Sequence, residues 1–411
     1  MSDLRVSCGE LSFENPFVLA SAPPTASYEM IRKAFAMGWG GAVTKTIKPD
    51  SLVVADVSPR FNAIGSRFGE VIGFENIELV SKRDLAYWID AIGKLKREFP
   101  RKMLIASIMG DTERGSWSDL SRAMEAAGAD ALELNFSCPH GMPEMGVGAA
   151  IGQSAEISAR ITEWVRAATS LPLIVKLTPN VTDVRPIAKA VAEAGADMIA
   201  AINTVESLTG VDLESLEPQP SVGGFSTYGG YSGRAVKPIG LRVVSQVARS
   251  VELPILGMGG ISQWSDAAEY IAIGASVVQV CTEVMLKGFG IIEGLKSGLS
   301  DYLDRKGMGS PAELRGAALG KLRSHEVLER GERLHPRIFG SGTCVRCGRC
   351  VVACADGGYG AISLSGGEPR FDYAKCDGCS LCRHVCPVGV IRMVGVASSR
   401  ETPAMAVGVA P

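Results

Sequence analysis

Eight of the eleven cysteines crowd between Cys344 and Cys386. They read CVRCGRCVVAC (344–354) and CDGCSLCRHVCP (376–387), the pattern CxxCxxCxxxC twice. This spacing wraps three thiolates around one iron–sulfur cubane, while the fourth cysteine reaches the other cluster. Cys344, Cys347, Cys350 and Cys386 are therefore expected on one [4Fe–4S] cluster, and Cys376, Cys379, Cys382 and Cys354 on a second. A zinc ribbon is the alternative use of such cysteines, and two intact four-cysteine runs argue against it. Ala355 stands where the second run has a proline, which removes no ligand. His384 lies between two of these cysteines and is expected at the surface or beside the ligands. Two clusters on one small module suit the passage of single electrons between distant partners.

The remaining thiols are Cys8, Cys138 and Cys281. Cys138 sits in NFSCPHGM (135–142), a Gly/Pro-rich loop directly after an apolar run. On residue type alone it could be a packing residue, a redox thiol, a metal ligand or an acid catalyst. Cys8 is expected to pack in an N-terminal hairpin, as most lone buried cysteines do.

The first 300 residues carry eight short apolar runs: 17–22, 41–46, 104–109, 131–137, 173–179, 198–204, 254–260 and 277–282. Runs of this length suit strands buried on both faces, as in parallel sheets. Helical patterns separate them, for example 116–127, 155–168 and 183–194, with Ser116, Ser154 and Asp183 as candidate N-caps. AGADALELN, AGADMIAAIN and IGASVVQVC repeat one theme, a helix-stopping glycine before a strand start. Eight such units predict an α/β fold, a (β/α)₈ TIM barrel, whose site lies at the C-terminal strand ends. The runs end in Ser21, Lys45, Asn135/Ser137, Lys176, Asn203/Thr204, Gly259/Gly260 and Thr282. Two lysines at one barrel mouth are hard to explain as packing, because a buried ammonium is costly without an anion. Three strand-to-helix connections, 47–74, 138–154 and 205–237, are long enough to act as lids or binding loops. GGYSG (229–233) and GMGG (257–260) offer backbone N–H groups where barrels commonly hold a phosphate. No GxGxxG follows a strand, so a dinucleotide fold is not expected.

At 411 residues, 46% hydrophobic and 21% charged, the chain has the composition of an ordinary globular protein. A net charge of −2 offers no argument for nucleic acid or an anionic membrane as partner. No basic-then-apolar leader is visible and no apolar stretch is long enough to span a bilayer. Tight CxxC groups point to a reducing, cytoplasmic compartment. The expected division is 1–304 barrel, 305–335 linker or docking helix, 336–396 dicluster ferredoxin-like domain and 397–411 tail.

These residues carry a family resemblance. LASAPPT, GWGGAVTKT, NIE (76–78), IASIMG, ELNFSCPHGM, KLTPNVTD, INTV, YGGYSG, GMGGI and QVCT, followed by the paired cysteine runs, resemble dihydropyrimidine dehydrogenase. The similarity is closest to the smaller, FMN- and iron–sulfur-bearing subunit of the bacterial two-subunit enzyme. Dihydroorotate dehydrogenases share the Asn-x-Ser-Cys-Pro stretch, but they carry Asn where His140 stands and lack the ferredoxin tail. The resemblance implies FMN lined by Ala20, Ser21, Lys45, Thr46, Asn135, Lys176, Gly233, Gly259, Gly260, Cys281 and Thr282, with Cys281 touching it through its backbone. It implies a pyrimidine held by Asn76, Glu78, Asn135, Ser137, Asn203 and Thr204. It also implies an oxidoreductase acting on a CH–CH bond: uracil or thymine reduced at the 5,6-double bond, with Cys138 as general acid. A thiol of ordinary pKa near ~8.5 is mostly protonated at neutral pH and can give that proton. His140 is expected as a turn residue of the same loop. The chain has no nicotinamide site, so a separate FAD flavoprotein oxidising NADH or NADPH would supply electrons, as a heterotetramer. A dihydroorotate dehydrogenase-like oxidoreductase and a non-catalytic FMN/Fe–S electron relay are the rival expectations.

Overall fold

The computed structural model describes residues 2–65, 69–136, 149–329, 333–340 and 344–395. The chain divides into two compact units, Met1–Leu322 and Arg323–Pro411.

The first unit is a closed barrel of eight strands: β1 (Phe17–Leu19), β2 (Gly41–Val43), β3 (Met103–Ile108), β4 (Ala131–Asn135), β5 (Leu173–Leu177), β6 (Met198–Ala201), β7 (Ile255–Met258) and β8 (Val277–Val280). Each pairs in parallel with its neighbours in sequence, and β8 closes onto β1. All eight expected strands are present. Gly128, Gly195 and Gly274 end the preceding helices at φ of 96°, 98° and 117°, which explains the repeated helix-stop theme.

Alternation along the strands sorts the core into two sets. Phe17, Leu19, Leu104, Leu132 and Leu134 face the helices and join the large outer cluster. Val18, Val43, Ile105, Ala131, Ile174, Met198, Leu256 and Val277 form a separate cluster inside the barrel. The hairpin Val6–Cys8/Leu11–Phe13 packs into that inner set through Val6, Cys8, Leu11 and Phe13. Two residues further along each strand, Ile105 gives way to Ser107, Ala131 to Glu133, Ile174 to Lys176 and Val277 to Gln279. The interior thus turns polar halfway up, all four residues still buried.

Several local expectations need correction. Ser154 does cap the helix Ala155–Arg166, accepting from Ile157 N–H. Ser116 lies inside the helix Arg114–Ala127, whose N-cap is Glu113; its hydroxyl is engaged with Asp111 instead. Asp183 precedes the N-cap Val184 of helix Arg185–Glu193 and accepts from Arg185 N–H. The segments 47–74 and 205–237 are not plain loops. They contribute Phe61–Gly65, Val71–Asn76, Val205–Ser207 and Gly229–Ser232 to one four-stranded antiparallel sheet. Glu75 anchors it, buried and accepting from Ser207 and Thr209.

In the stretch 305–335, expected as a linker or docking helix, the described residues form a one-turn helix Pro311–Leu314, two 3-10 turns at Leu319–Lys321 and His325–Val327, and the start of strand Leu334–Ile338. Helix Ile291–Lys306 ends in this stretch, and Leu314 packs into the barrel's outer core. Gly316 and Ala318 donate to Ile271 and Ala272.

The second unit is small. Two antiparallel pairs, Leu334–Ile338 with Ile391–Gly395 and Ile362–Ser365 with Glu368–Phe371, flank helices Arg349–Asp356 and Leu381–His384. Its buried core consists of Cys350, Ile362, Cys382, Val390 and Ile391.

Candidate active site and cysteine-lined cavities

A cleft opens at the C-terminal ends of the barrel strands, with about 1140 Å³ of free space counting its open mouth. Its floor is the polar upper layer of the barrel. Its wall is the antiparallel sheet, which contributes Phe61, Phe74, Asn76 and Tyr231. The Phe61 and Phe74 rings lie 5.3 Å apart, and the Arg60 guanidinium stacks 5.1 Å over Phe61.

Strand ends place the polar groups. Lys45, just beyond β2, donates to Glu78 Oε2 at 2.8 Å, and Arg60 Nε approaches Glu78 Oε1 at 3.5 Å. Both members of the Lys45–Glu78 pair are about nine-tenths buried, so each carries the counter-charge the other needs. Thr46 Oγ1 lies 3.1 Å from Ser21 Oγ and 3.0 Å from Ser107 Oγ, and accepts from Asn135 Nδ2 at 2.9 Å. Lys176 Nζ is 3.4 Å from Glu133 Oε1, and Gln279 Nε2 donates to Glu133 Oε2 at 2.8 Å. Asn203 Oδ1 accepts from Thr204 N–H at 2.8 Å. Thr282 and Ser232 share a hydrogen bond of 2.9 Å.

At one end of the cleft the backbone closes into a cradle. Gly260 has φ 71°, and a Cβ there would stand 2.8 Å from Gly233 O and from Lys237 N. Helix Lys237–Ala248 starts beside it, presenting its N-terminus. Tyr270 donates to Gly259 O at 2.7 Å and fixes the turn. Arg234 lines this end; its Nε is buried without a hydrogen-bond partner, and its terminal nitrogens lie 3.4 Å from Glu70 and Glu283. The sequence reading offered GGYSG as a flexible source of N–H groups. Gly229–Ser232 is instead a strand paired with Phe74–Asn76, and Gly233 begins the cradle.

Cys281 lines the cleft, its sulfur 3.8 Å from Met285 Sδ. Burial pushes its thiol up to about 11, with Lys176 and Lys45 pulling the other way.

In the second unit the eight cysteines fall into two separate cavities. One is lined by Cys344, Cys347, Cys350 and Cys386, the other by Cys354, Cys376, Cys379 and Cys382. Each set takes three residues from one run and the fourth from the other. Burial pushes the Cys382 thiol up to about 11, and neighbouring Cys379 and Cys376 add to the rise. Burial also acts upward on Cys386, but the N–H groups of Val388, Val390, Ile391 and Gly389 outweigh it and favour the thiolate. Among the described residues, no three His, Cys, Asp or Glu side chains converge as a site for a single metal ion.

Residues 3–303 match the dihydroorotate dehydrogenase family, and residues 339–393 match the 4Fe-4S dicluster domain. The NAD-dependent dihydropyrimidine dehydrogenase subunit PreA of Escherichia coli (strain K12) is 43% identical over 396 residues, 95% of each chain. The chain belongs to the dihydropyrimidine dehydrogenase family. Its members are oxidoreductases acting on CH–CH bonds. The chloroplastic dihydropyrimidine dehydrogenase (NADP(+)) of Arabidopsis thaliana is 39% identical over 342 residues, 80% of each chain. The catalytic subunit of dihydroorotate dehydrogenase B (NAD(+)) from Pyrococcus abyssi is 37% identical over 317 residues, covering 77% of this chain and 99% of its own. Among the described residues no helix is long and apolar enough to cross a membrane.

For this dihydropyrimidine dehydrogenase-type chain, the candidate residues converge. Ala20, Ser21, Lys45, Thr46, Asn135, Lys176, Gly233, Gly259, Gly260, Cys281 and Thr282 all line the cleft, as do Asn76, Glu78, Asn203 and Thr204. Ser137, Cys138 and His140 lie outside the described residues. The sequence reading missed Glu133, Gln279 and Arg234. The first two were visible as polar residues inside ALELN and VVQV, runs otherwise apolar, where an unpaired carboxylate would be untenable. Arg234 follows GGYSG directly, but nothing in the local pattern aims it into a cleft. The aromatic wall of Phe61, Phe74 and Tyr231 required the pairing of two segments far apart in sequence.

Proposed function

We propose that this chain reduces the 5,6-double bond of uracil or thymine, using FMN in the barrel cleft and electrons relayed through two [4Fe–4S] clusters. The observation that carries it is the convergence of eleven FMN candidates and the described pyrimidine candidates in one cleft, joined by the Lys45–Glu78 contact.

The cleft fits FMN on its own chemistry. The cradle of Gly233, Gly259 and Gly260 beside a helix N-terminus and the Arg234 guanidinium suits a phosphate. Gln279 Oε1, buried without a partner, offers an acceptor at the floor. Each four-cysteine cavity fits one cubane by donor set. When bound, FMN would supply the hydride that reduces the pyrimidine double bond.

The chain's own residues do the rest. A uracil edge alternates N–H and C=O groups, and the amides of Asn76, Asn135 and Asn203 with the Glu78 carboxylate complement it. Ser137 and Thr204 complete the ring contacts. Glu78 is fixed by Lys45 and Arg60, so it accepts from a ring N–H without reorganising. Phe61 and Phe74 wall the ring from water. Cys138 donates the proton to C5 from Sγ as the C6–H bond forms, and solvent reprotonates it. The two electrons come one at a time from a partner, an FAD flavoprotein oxidising NADH or NADPH, in a cytoplasmic heterotetramer.

The test is anaerobic. The reconstituted chain, with FMN and clusters loaded, is reduced chemically and mixed with uracil, thymine or orotate while flavin absorbance is followed. Reoxidation by uracil or thymine is expected, slowed by about 10²–10⁴ in Cys138→Ala with FMN retained. Reoxidation by orotate alone would move the chain to dihydroorotate chemistry. Silence with all three would leave an electron relay.

A further inference from the structure

Glu133 takes no part in the reaction above, yet it is a fully buried carboxylate held by two residues of the cleft lining, Lys176 and Gln279. Glu133 is 0% exposed and Gln279 1% exposed. They come from β4 and β8, and Lys176 between them comes from β5. Glu133 Oε2 accepts from Gln279 Nε2 at 2.8 Å, while Glu133 Oε1 stands 3.4 Å from Lys176 Nζ without a hydrogen bond. A carboxylate accepts only, so this contact fixes which end of the Gln279 amide faces it. Gln279 Oε1 is thereby turned away and left without a partner, on a residue that lines the cleft.

A lysine alone at this depth would present one uncompensated positive charge to the floor. Reduction adds negative charge to a flavin's pyrimidine ring, and a bare cation beneath it would make the flavin easier to reduce and a weaker hydride donor. Glu133 beside Lys176 brings the local charge to zero in a water-poor interior, where Coulomb effects are strong.

We propose that Glu133, held by Gln279, is a positioning residue that fixes Lys176 and cancels its charge, keeping the flavin a strong hydride donor toward a carbon–carbon double bond. This rests on FMN occupying the cleft as proposed above. A merely structural counter-ion would change folding or FMN retention and leave the flavin potential where it is.

The experiment uses the full chain with clusters and FMN, and no pyrimidine. FMN content is measured first, by release and fluorescence. The flavin is then titrated spectroelectrochemically, at 450 nm, with the clusters followed separately by EPR. In Glu133→Gln, the reduced-to-oxidised flavin ratio at a fixed poise should rise at least tenfold, about 30 mV for a two-electron couple. Gln279→Leu removes the donor that holds Glu133 and should raise the ratio severalfold. Glu133→Asp keeps the charge and should stay within about twofold of wild type on the same constant. Less than a twofold change in Glu133→Gln with full FMN, or a shift of Gln279→Leu in the opposite direction, overturns the proposal. Should Glu133→Gln not fold, an unchanged ratio in Gln279→Leu overturns it alone. A wild-type chain that takes up no FMN overturns both proposals. One that takes it up but is not reoxidised by pyrimidines loses only the functional one.

Discussion

The barrel and the cysteine unit solve the same problem, holding a redox group, in opposite ways. The barrel has a large apolar core of strands, helices and an inner plug, and its polar groups project from that frame. Among the described residues the cysteine unit's core cluster is Cys350, Ile362, Cys382, Val390 and Ile391, and Cys350 and Cys382 themselves line the cavities. A core so thin, and partly made of the ligands themselves, leaves the unit dependent on what its cysteines bind. The barrel therefore precedes its cofactor, whereas the cysteine unit depends on its own.

The sharpest way to break this contrast is to remove iron. Anaerobic chelation should unfold residues 344–395 while the barrel keeps its structure, because metal binding and folding are one equilibrium in such small sites. Limited proteolysis should then yield a resistant fragment close to Met1–Leu322. A cysteine unit that stays protected without iron would abolish the distinction.

Within the barrel, Lys45→Met leaves Glu78 buried with only the longer Arg60 contact. A loss of about 3 kcal/mol is expected from breaking a buried pair, read as a lower urea midpoint with barrel helicity unchanged. Gly260→Ala should cost about 1–3 kcal/mol through its left-handed backbone, and it also pushes a methyl into the cradle. FMN retention during gel filtration should fall in that variant more than stability does.

The smallest effect concerns pH. Burial pushes the Cys8 thiol from its ordinary 9.0 up to about 12. Above pH 9 the unfolded chain releases this proton and the folded chain keeps it, so stability falls as pH rises from 9 to 12. Cys8→Ala should flatten that slope by up to one proton in urea titrations at pH 8 to 11. An identical slope would mean that the inner plug is open to solvent.

Much of this was legible in the sequence because it depended on strong local codes. Near-continuous apolar runs marked all eight barrel strands, and the glycine after each repeated helix marked their starts. The cysteine spacing anticipated the interleaving seen in the two cavities. What failed was non-local. Ser116 has the residue type of a cap, but the N-cap is Glu113, three residues earlier, and the Ser116 hydroxyl bonds Asp111. The strands of the cleft wall escaped because Val71–Asn76 pairs with Gly229–Ser232, more than 150 residues away. The family resemblance implies Lys45 only as a flavin contact, and its bond to Glu78 joins the two sets of candidates.

The N-terminal hairpin has a consequence for traffic. It packs among the inward apolar residues at the starts of the strands, with Gly9 against Met198 and Phe13 against Gly41. The barrel is thus a vessel stoppered at one end. Whatever enters must leave by the same mouth, so on the proposed reading the deeper guest is loaded first and released last. The pyrimidine must come and go above a resident flavin, and a saturating dihydropyrimidine should slow flavin loss even with no electrons flowing.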